Sequence, residues 1–104
     1  MVDIIINYKN NKIVQFQMKG HANSDEYGKD LVCAGLTAIV SGALNAIDAY
    51  YKNDVDIEIL ENKITIFVKK EDNSNLQLML DMLKIQIQTI TIQYPKNARL
   101  KEVS

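Results

Sequence analysis

The chain contains few of the side chains that build disulfides and metal centres. Its 104 residues include one cysteine and one histidine. One cysteine cannot form an internal disulfide, and an unpaired thiol fits a reducing compartment. One histidine and one cysteine also fall short of the three or four ligands that zinc usually takes. We therefore expect no disulfide, no metal and no cofactor.

The chain also lacks an excess of positive charge. Twelve basic and thirteen acidic residues give a formal net charge of −1. Nucleic-acid binding is driven by clustered Lys and Arg, so we predict no direct contact with nucleic acid. No apolar run approaches the roughly 20 residues needed to cross a bilayer. Residues 1–7 lack the basic region of a secretory signal. We expect a cytoplasmic protein with no membrane segment.

The length and composition favour one domain that spans residues 1–104. A hydrophobic content of 47% is enough for a single two-layer core. The four glycines have neither the Walker spacing nor the dinucleotide-binding spacing, so they predict no nucleotide-binding loop.

Alternating apolar residues predict two β-hairpins. Val2–Lys9 and Lys12–Lys19 form the first, joined at Asn10-Asn11, because Asn tolerates the left-handed conformation of tight turns. The residues expected on one face of its second strand are Val14, Phe16 and Met18. The second hairpin covers residues 55–68 and turns at Glu61-Asn62.

Apolar residues at three- and four-residue steps predict a helix after each hairpin. Asp30 is the expected N-cap of the first helix, which places Cys33 at the third helical position. Ser74 and Gln77 predict a capping box at the start of the second helix. The expected buried stripes are Val32, Leu36, Ile39, Val40, Ala43, Leu44 and Ile47, then Leu76, Met79, Leu80, Leu83, Ile87 and Ile90.

Residues 84–93 (KIQIQTITIQ) carry conflicting signals, because they alternate like a strand. We predict helix to about Gln93, since the apolar stripe continues and Pro95 is a natural stop. Residues 99–103 are expected to add a short last strand. The predicted fold is α+β: a two-layer sandwich in ββαββα order, with both helices packed on one face of a small mixed or antiparallel sheet.

The segment between the first hairpin and the first helix holds both His21 and Cys33. A thiolate is favoured by a helix N-terminus or an imidazolium, whereas the carboxylates of Asp25, Glu26 and Asp30 disfavour it. From the residues alone, Cys33 is either a nucleophile or a small buried apolar side chain. The polar loop at residues 22–29 has the composition to fold back and bring a base within reach of the thiol.

GHANSDEYGKDLVCAGLTAIV resembles the signature of the ribosomal-processing cysteine protease family (Prp). That signature is Gly-His-Ala, a short variable loop, Gly-x-Asp-x-Val-Cys-Ala and a hydroxyl residue four positions after the cysteine. The length, the element order and the Tyr-Pro after the last helix also match. The matching residues are Gly20, His21, Ala22, Gly28, Asp30, Cys33 and Ala34, with Thr37 where many members have serine.

The resemblance implies a homodimeric cysteine endopeptidase with Cys33 as nucleophile and His21 as general base. It implies a substrate as well: a large-subunit ribosomal protein made with a short N-terminal extension. The residues before the cleaved bond would be hydrophobic, with an aromatic pair, and an alanine would follow it. Removing the extension would support ribosome maturation.

Several supporting roles follow for the residues around the motif. The backbone N–H groups of Cys33 and Ala34 would stabilise the oxyanion. Asp30 either orients the histidine or caps the helix. Thr37 either shapes the pocket or bonds the carbonyl four residues back. Residues 25–27 would act as a lid over the peptide.

Two other functions stay open. One is a non-catalytic, ribosome-associated peptide-binding module, against which the presence of both His21 and Cys33 speaks. The other is a thiol redox sensor that uses Cys33 and does not need His21.

Overall fold

The computed structural model describes the backbone of residues 1–20 and 27–104, and the side chains of residues 1–20 and 31–104. The elements of this part of the chain are β1 (Val2–Lys9), β2 (Lys12–Lys19), α1 (Tyr27–Tyr51), a 3₁₀ turn (Lys52–Asp54), β3 (Val55–Leu60), β4 (Lys63–Val68), α2 (Ser74–Gln93) and β5 (Ala98–Val103). The predicted ββαββα order is confirmed, and the expected last strand follows it.

The strands form one mixed sheet in the order β3-β4-β2-β1-β5. Both hairpins are antiparallel, β2 pairs antiparallel with β4, and β1 pairs parallel with β5. A parallel neighbour requires a crossover connection. Here the chain crosses from β4 over β2 and β1 through α2, and β5 then pairs with β1. The predicted α+β fold is therefore confirmed, and the sheet is mixed rather than purely antiparallel.

The hydrophobic core lies between the helices and one face of the sheet. Alternate residues of β1 are buried, as are residues at helical spacing in α1 and α2. The predicted helix stripes are confirmed. The buried members are Val32, Leu36, Val40, Leu44, Ile47, Leu76, Leu80, Leu83 and Ile87.

The first hairpin turns at Asn10 and Asn11, which have φ of 52° and 64°. Two positive φ angles in a two-residue loop are typical of a type I′ turn, as the sequence predicted. The register shifts after Asn7, which pairs with Gln15 while Tyr8 pairs with Ile13. Val14 is thus an extra residue at a β-bulge. The prediction that Val14 shares the buried face is wrong, because Ile13 takes that place and Val14 is half-buried.

The second helix is capped by Asn73, so the predicted capping box of Ser74 and Gln77 is wrong. The Asn73 Oδ1 accepts the N–H of Leu76 at 3.0 Å. Gln77 is turned to the sheet instead: its side-chain oxygen accepts the Ile13 N–H and its amide donates to the Ile13 carbonyl, both at 2.8 Å. A side-chain amide thereby replaces a strand partner beside the bulge.

The alternating segment at residues 84–93 is helical, as predicted. Ile87 is buried and Ile90 packs against the core, whereas Ile85 and Ile92 are exposed. The helical stripe therefore decides the conformation against the local β propensity. The helix ends where the Tyr94 N–H donates to the Ile90 carbonyl, immediately before Pro95.

α2 and β1 hold the last strand through a cluster of polar side chains. The Tyr8 hydroxyl donates to Glu102 Oε1 at 2.8 Å, and Lys84 Nζ donates to Tyr8 at 3.2 Å. Lys84 also pairs with Asp81 and Glu102. The hydrogen bond with Tyr8 raises the pKa of Lys84 above its usual value. The ammonium therefore stays charged throughout the neutral range, and the stabilisation is lost only in strongly alkaline solution.

The segment Leu31–Asp54 is long and apolar enough to cross a membrane by length and composition, with a mean hydropathy of 1.6. Ser41, Asn45 and Asp48 interrupt the segment, so it is not an unbroken apolar run of the length that the sequence analysis considers. A core helix passes the same test, and α1 has a buried face in the core. The segment is therefore weak evidence for a membrane contact.

We expect Gln77→Ala to lower the free energy of unfolding by about 1–3 kcal/mol, because both polar backbone groups of Ile13 lose their partner. Urea denaturation of the purified variant measures this. Gln93→Ala removes an exposed glutamine from the same helix and is expected to stay within about 0.5 kcal/mol of wild type. Equal stability of the two variants would show that the Gln77 bonds contribute nothing.

Candidate active site

The backbone at Gly20 fixes the point at which the chain leaves the sheet. Gly20 has a φ of +86°, and its N–H donates to the Asn62 carbonyl at 3.1 Å. A Cβ added there would lie 2.7 Å from the carbonyl oxygen of Met1. Both the left-handed conformation and the close approach require glycine. Gly20 therefore ties the exit of β2 to the first residue of the chain and to the β3–β4 turn.

The next residues of the motif lie outside the described part of the chain. They are His21, Ala22 and residues 25 and 26 of the predicted lid. The backbone of Gly28 and Asp30 is helical, because α1 begins at Tyr27. The prediction that Asp30 caps this helix is therefore wrong. Its alternative role, orienting the histidine, stays a prediction.

Cys33 is the seventh residue of α1. Two buried side chains, Val32 and Leu36, lie on either side of it in the sequence and anchor the helix to the core. Cys33 is therefore not the third helical residue, as predicted, but nearly two turns from the start. At that depth the N–H groups of Cys33 and Ala34 bond carbonyls of the preceding turn. The prediction that these two groups form an oxyanion hole is wrong.

The Cys33 side chain is half-buried and lines a cleft of about 310 Å³. Cys33, Leu36 and Thr37 of α1 form one wall. Met18, Ile64 and Ile59 come from three neighbouring strands and form the floor, while the β3–β4 turn and Gly20 close one end. The cleft is mostly apolar, and one acidic and one basic side chain, Glu61 and Lys63, lie at its rim. A thiol beside an apolar groove suits attack on a bound peptide.

The supporting residues on α1 are placed differently from one another. Thr37 is exposed and lines the cleft one turn after Cys33, which favours the pocket-shaping alternative for its hydroxyl. Ala34 is exposed and is not among the residues that line the cleft. The structure therefore brings Gly20, Cys33 and Thr37 to one site.

The sequence did not predict the contribution of the second hairpin to this site. Ile59 and Ile64 carry the ordinary alternation of a hairpin, and Leu60 follows Ile59 before the turn. Their role depends on the strand order, which places β3 at the sheet edge beside the wall of α1. The sequence predicts the turn at Glu61-Asn62, but it does not predict that this turn lies opposite Gly20.

The family model described as cysteine protease Prp matches residues 1–99. The chain belongs to this family. Its relatives include the ribosomal processing cysteine protease Prp of Staphylococcus aureus, 37% identical over 95% of this chain and 94% of the relative. The protein of the same name from Bacillus subtilis is 34% identical over 85% and 84%. The predicted resemblance is confirmed, and with it the cysteine protease class.

The fold is shared with solved Prp structures. The S. aureus Prp in complex with a substrate peptide has a TM-score of 0.90 and 31% identity, covering 98% of this chain and 99% of that chain. The S. aureus Prp in complex with a covalently linked product peptide has a TM-score of 0.88, 32% identity and the same coverage. The similarity therefore extends from the first strand to the last.

We expect Gly20→Ala to lower the free energy of unfolding by about 1–3 kcal/mol, because the methyl group meets the Met1 carbonyl in a left-handed conformation. The neighbouring His21 should be displaced as well, so peptidase activity falls beyond what the lost stability explains. Gly35→Ala is the matched control: a Cβ there meets nothing within 4 Å. That variant should gain up to about 1 kcal/mol. Urea denaturation and a cleavage assay measure both effects, and a Gly20→Ala protein as stable as wild type would contradict the prediction.

Proposed function

We propose that this protein is a cysteine endopeptidase that removes the short N-terminal extension of a large-subunit ribosomal protein, and that residues 1–104 form its catalytic domain. The observation that carries this proposal is Cys33 at the wall of an apolar cleft, in a chain that matches the Prp family model over residues 1–99. Such a substrate is made where ribosomes are assembled, which supports a cytoplasmic location.

The mechanism uses two side chains of the motif. His21 takes the proton of the Cys33 thiol, and the sulfur attacks the carbonyl carbon of the scissile bond. His21 then gives the proton to the leaving amine, so that the peptide bond breaks and a thioester remains on Cys33. Water, deprotonated by the same imidazole, hydrolyses the thioester and restores the thiol. Because α1 packs in the core, Cys33 has a fixed position, which supports its proposed role as the nucleophile.

The apolar cleft supports a peptide substrate over the alternatives. A redox sensor needs an accessible thiol and a small oxidant, and neither requires a groove formed by residues of three strands. A peptide-binding module would use the same groove without needing a thiol. The presence of Cys33 at the wall of the groove therefore favours the protease.

We further propose that the protein is a homodimer that joins through the outer surface of α1 and α2. A groove of about 290 Å³ runs between the helices and is lined by Ala38, Gly42 and Met82, among others. Gly42 is exposed, and a Cβ there would meet nothing within 4 Å. Internal packing therefore does not explain this helical glycine, whereas a second copy seated in the groove does. Met82 and the exposed Leu78 supply apolar surface for that contact.

The proteolytic function is tested by mass spectrometry of an N-terminally extended large-subunit ribosomal protein incubated with the purified enzyme. Wild type should make a single cut that removes the extension. Cys33→Ala and His21→Ala should abolish cleavage, because each removes one of the two reacting groups. Ser41→Ala removes an exposed hydroxyl from the same helix and should cleave like wild type.

The outcomes separate the three functions. Binding of the substrate without a cut by folded wild type would favour the peptide-binding module. Oxidation of Cys33 by hydrogen peroxide that persists in His21→Ala, with no cleavage by wild type, would favour the redox sensor. A cut that survives Cys33→Ala would exclude this cysteine as the nucleophile.

The proposed dimer is tested by sedimentation equilibrium at micromolar protein concentration. Wild type should have the mass of a dimer, and Met82→Glu should have the mass of a monomer, because it places a charge in the apolar contact. Phe67→Glu, an equally non-conservative change at an exposed position of β4 on the face of the sheet away from the helices, should leave the dimer intact. A monomeric wild type would contradict the proposal.

A further inference from the structure

One row of side chains crosses the sheet at the level of Cys33. Ile4 pairs with Met18, Met18 with Ile64, and Ile64 with Ile59, so the four lie side by side on β1, β2, β4 and β3. Their exposure rises across the row: 1% for Ile4, 8% for Met18 and 66% for Ile59, with Ile64 half-buried. The row begins in the core and ends in the cleft.

The same change occurs along β3 itself. Val55, Ile57 and Ile59 point to the helix-covered face, because residues two apart share a face of a strand. Val55 is buried, Ile57 is half-buried and packs against the core, and Ile59 is exposed. The cover supplied by the helices therefore ends between Ile57 and Ile59.

Single exposed apolar residues are ordinary on protein surfaces. Ile59 differs from them because it continues a core row into the cleft that Cys33 lines. Its neighbour Leu60 is also more than half exposed and lines the same cleft. An apolar floor that continues a core, beside the nucleophile, offers a binding surface for one apolar side chain.

We propose that Ile59 is a specificity-determining residue: it binds an apolar side chain of the substrate peptide close to the scissile bond, with Leu60 at the edge of the same surface. This inference rests on the proposed protease function. The bound side chain would cover Ile59 in the way that core residues cover Ile4 and Met18 in the same row. An apolar contact of this kind discriminates between substrates by about 10- to 200-fold.

The test is a double-mutant cycle between the enzyme and the peptide. The enzymes are wild type, Ile59→Gln and Ile59→Val, and the substrates are a cleavable peptide and versions in which each apolar residue near the bond is replaced by glutamine. Ile59→Gln should lower kcat/KM for the intact peptide by tenfold or more. Ile59→Val should keep most of the activity. One peptide substitution should lower wild-type activity strongly and Ile59→Gln activity little.

Ile92→Gln is the matched control, since Ile92 is 78% exposed and does not line the cleft. It should cleave every peptide like wild type, and thermal unfolding should show all variants folded. Unchanged kcat/KM in Ile59→Gln would overturn the inference, as would an equal loss on every peptide, which indicates a structural effect. Failure of wild type to cleave any peptide would overturn the protease function itself, and this inference with it.

Discussion

Two helices cannot fully cover one face of five strands, and the position of the site follows from this limit. Strands about 4.8 Å apart place the axes of β3 and β5 about 19 Å from each other. Packed helix axes lie about 8–10 Å apart, so an edge strand extends beyond the helical layer. α2 packs on the β5 side of the sheet and α1 lies beside it. The uncovered part of the edge is the end of β3 from Ile59 onward, and the cleft with Cys33 lies there.

The scaffold fixes both ends of the proposed catalytic motif. At one end, Gly20 is held by the Asn62 carbonyl and the close approach to Met1. At the other end, Cys33 is held by the burial of Val32 and Leu36 on either side of it. The chain therefore leaves the sheet at a fixed point, one residue before His21. Preorganisation of this kind lowers the entropic cost of bringing a base to a nucleophile.

Periodicity in the sequence was sufficient to predict the elements and the core. The stripes of α1 and α2, the Asn10-Asn11 turn and the Cys33 motif depend on spacing along the chain, which the sequence displays directly. Several of the wrong predictions depend on contacts made across the fold. Gln77 has the spacing of a capping partner, and only the position of β2 shows that it bonds Ile13 instead. In the same way, the exposure of Ile59 depends on the order of the strands.

The position of Cys33 in α1 bears on the choice between a protease and a redox sensor. The charge of a helix N-terminus acts mainly within the first turn, and Cys33 lies nearly two turns inside the helix. The described charged side chains of the cleft, Glu61 and Lys63, carry opposite signs. The described part of the cleft therefore holds no excess charge of either sign. A sensor needs neither a neighbouring base nor a peptide-sized groove, whereas the proposed protease uses both. The proposed role of His21 as the base is thus one that only the proteolytic function requires.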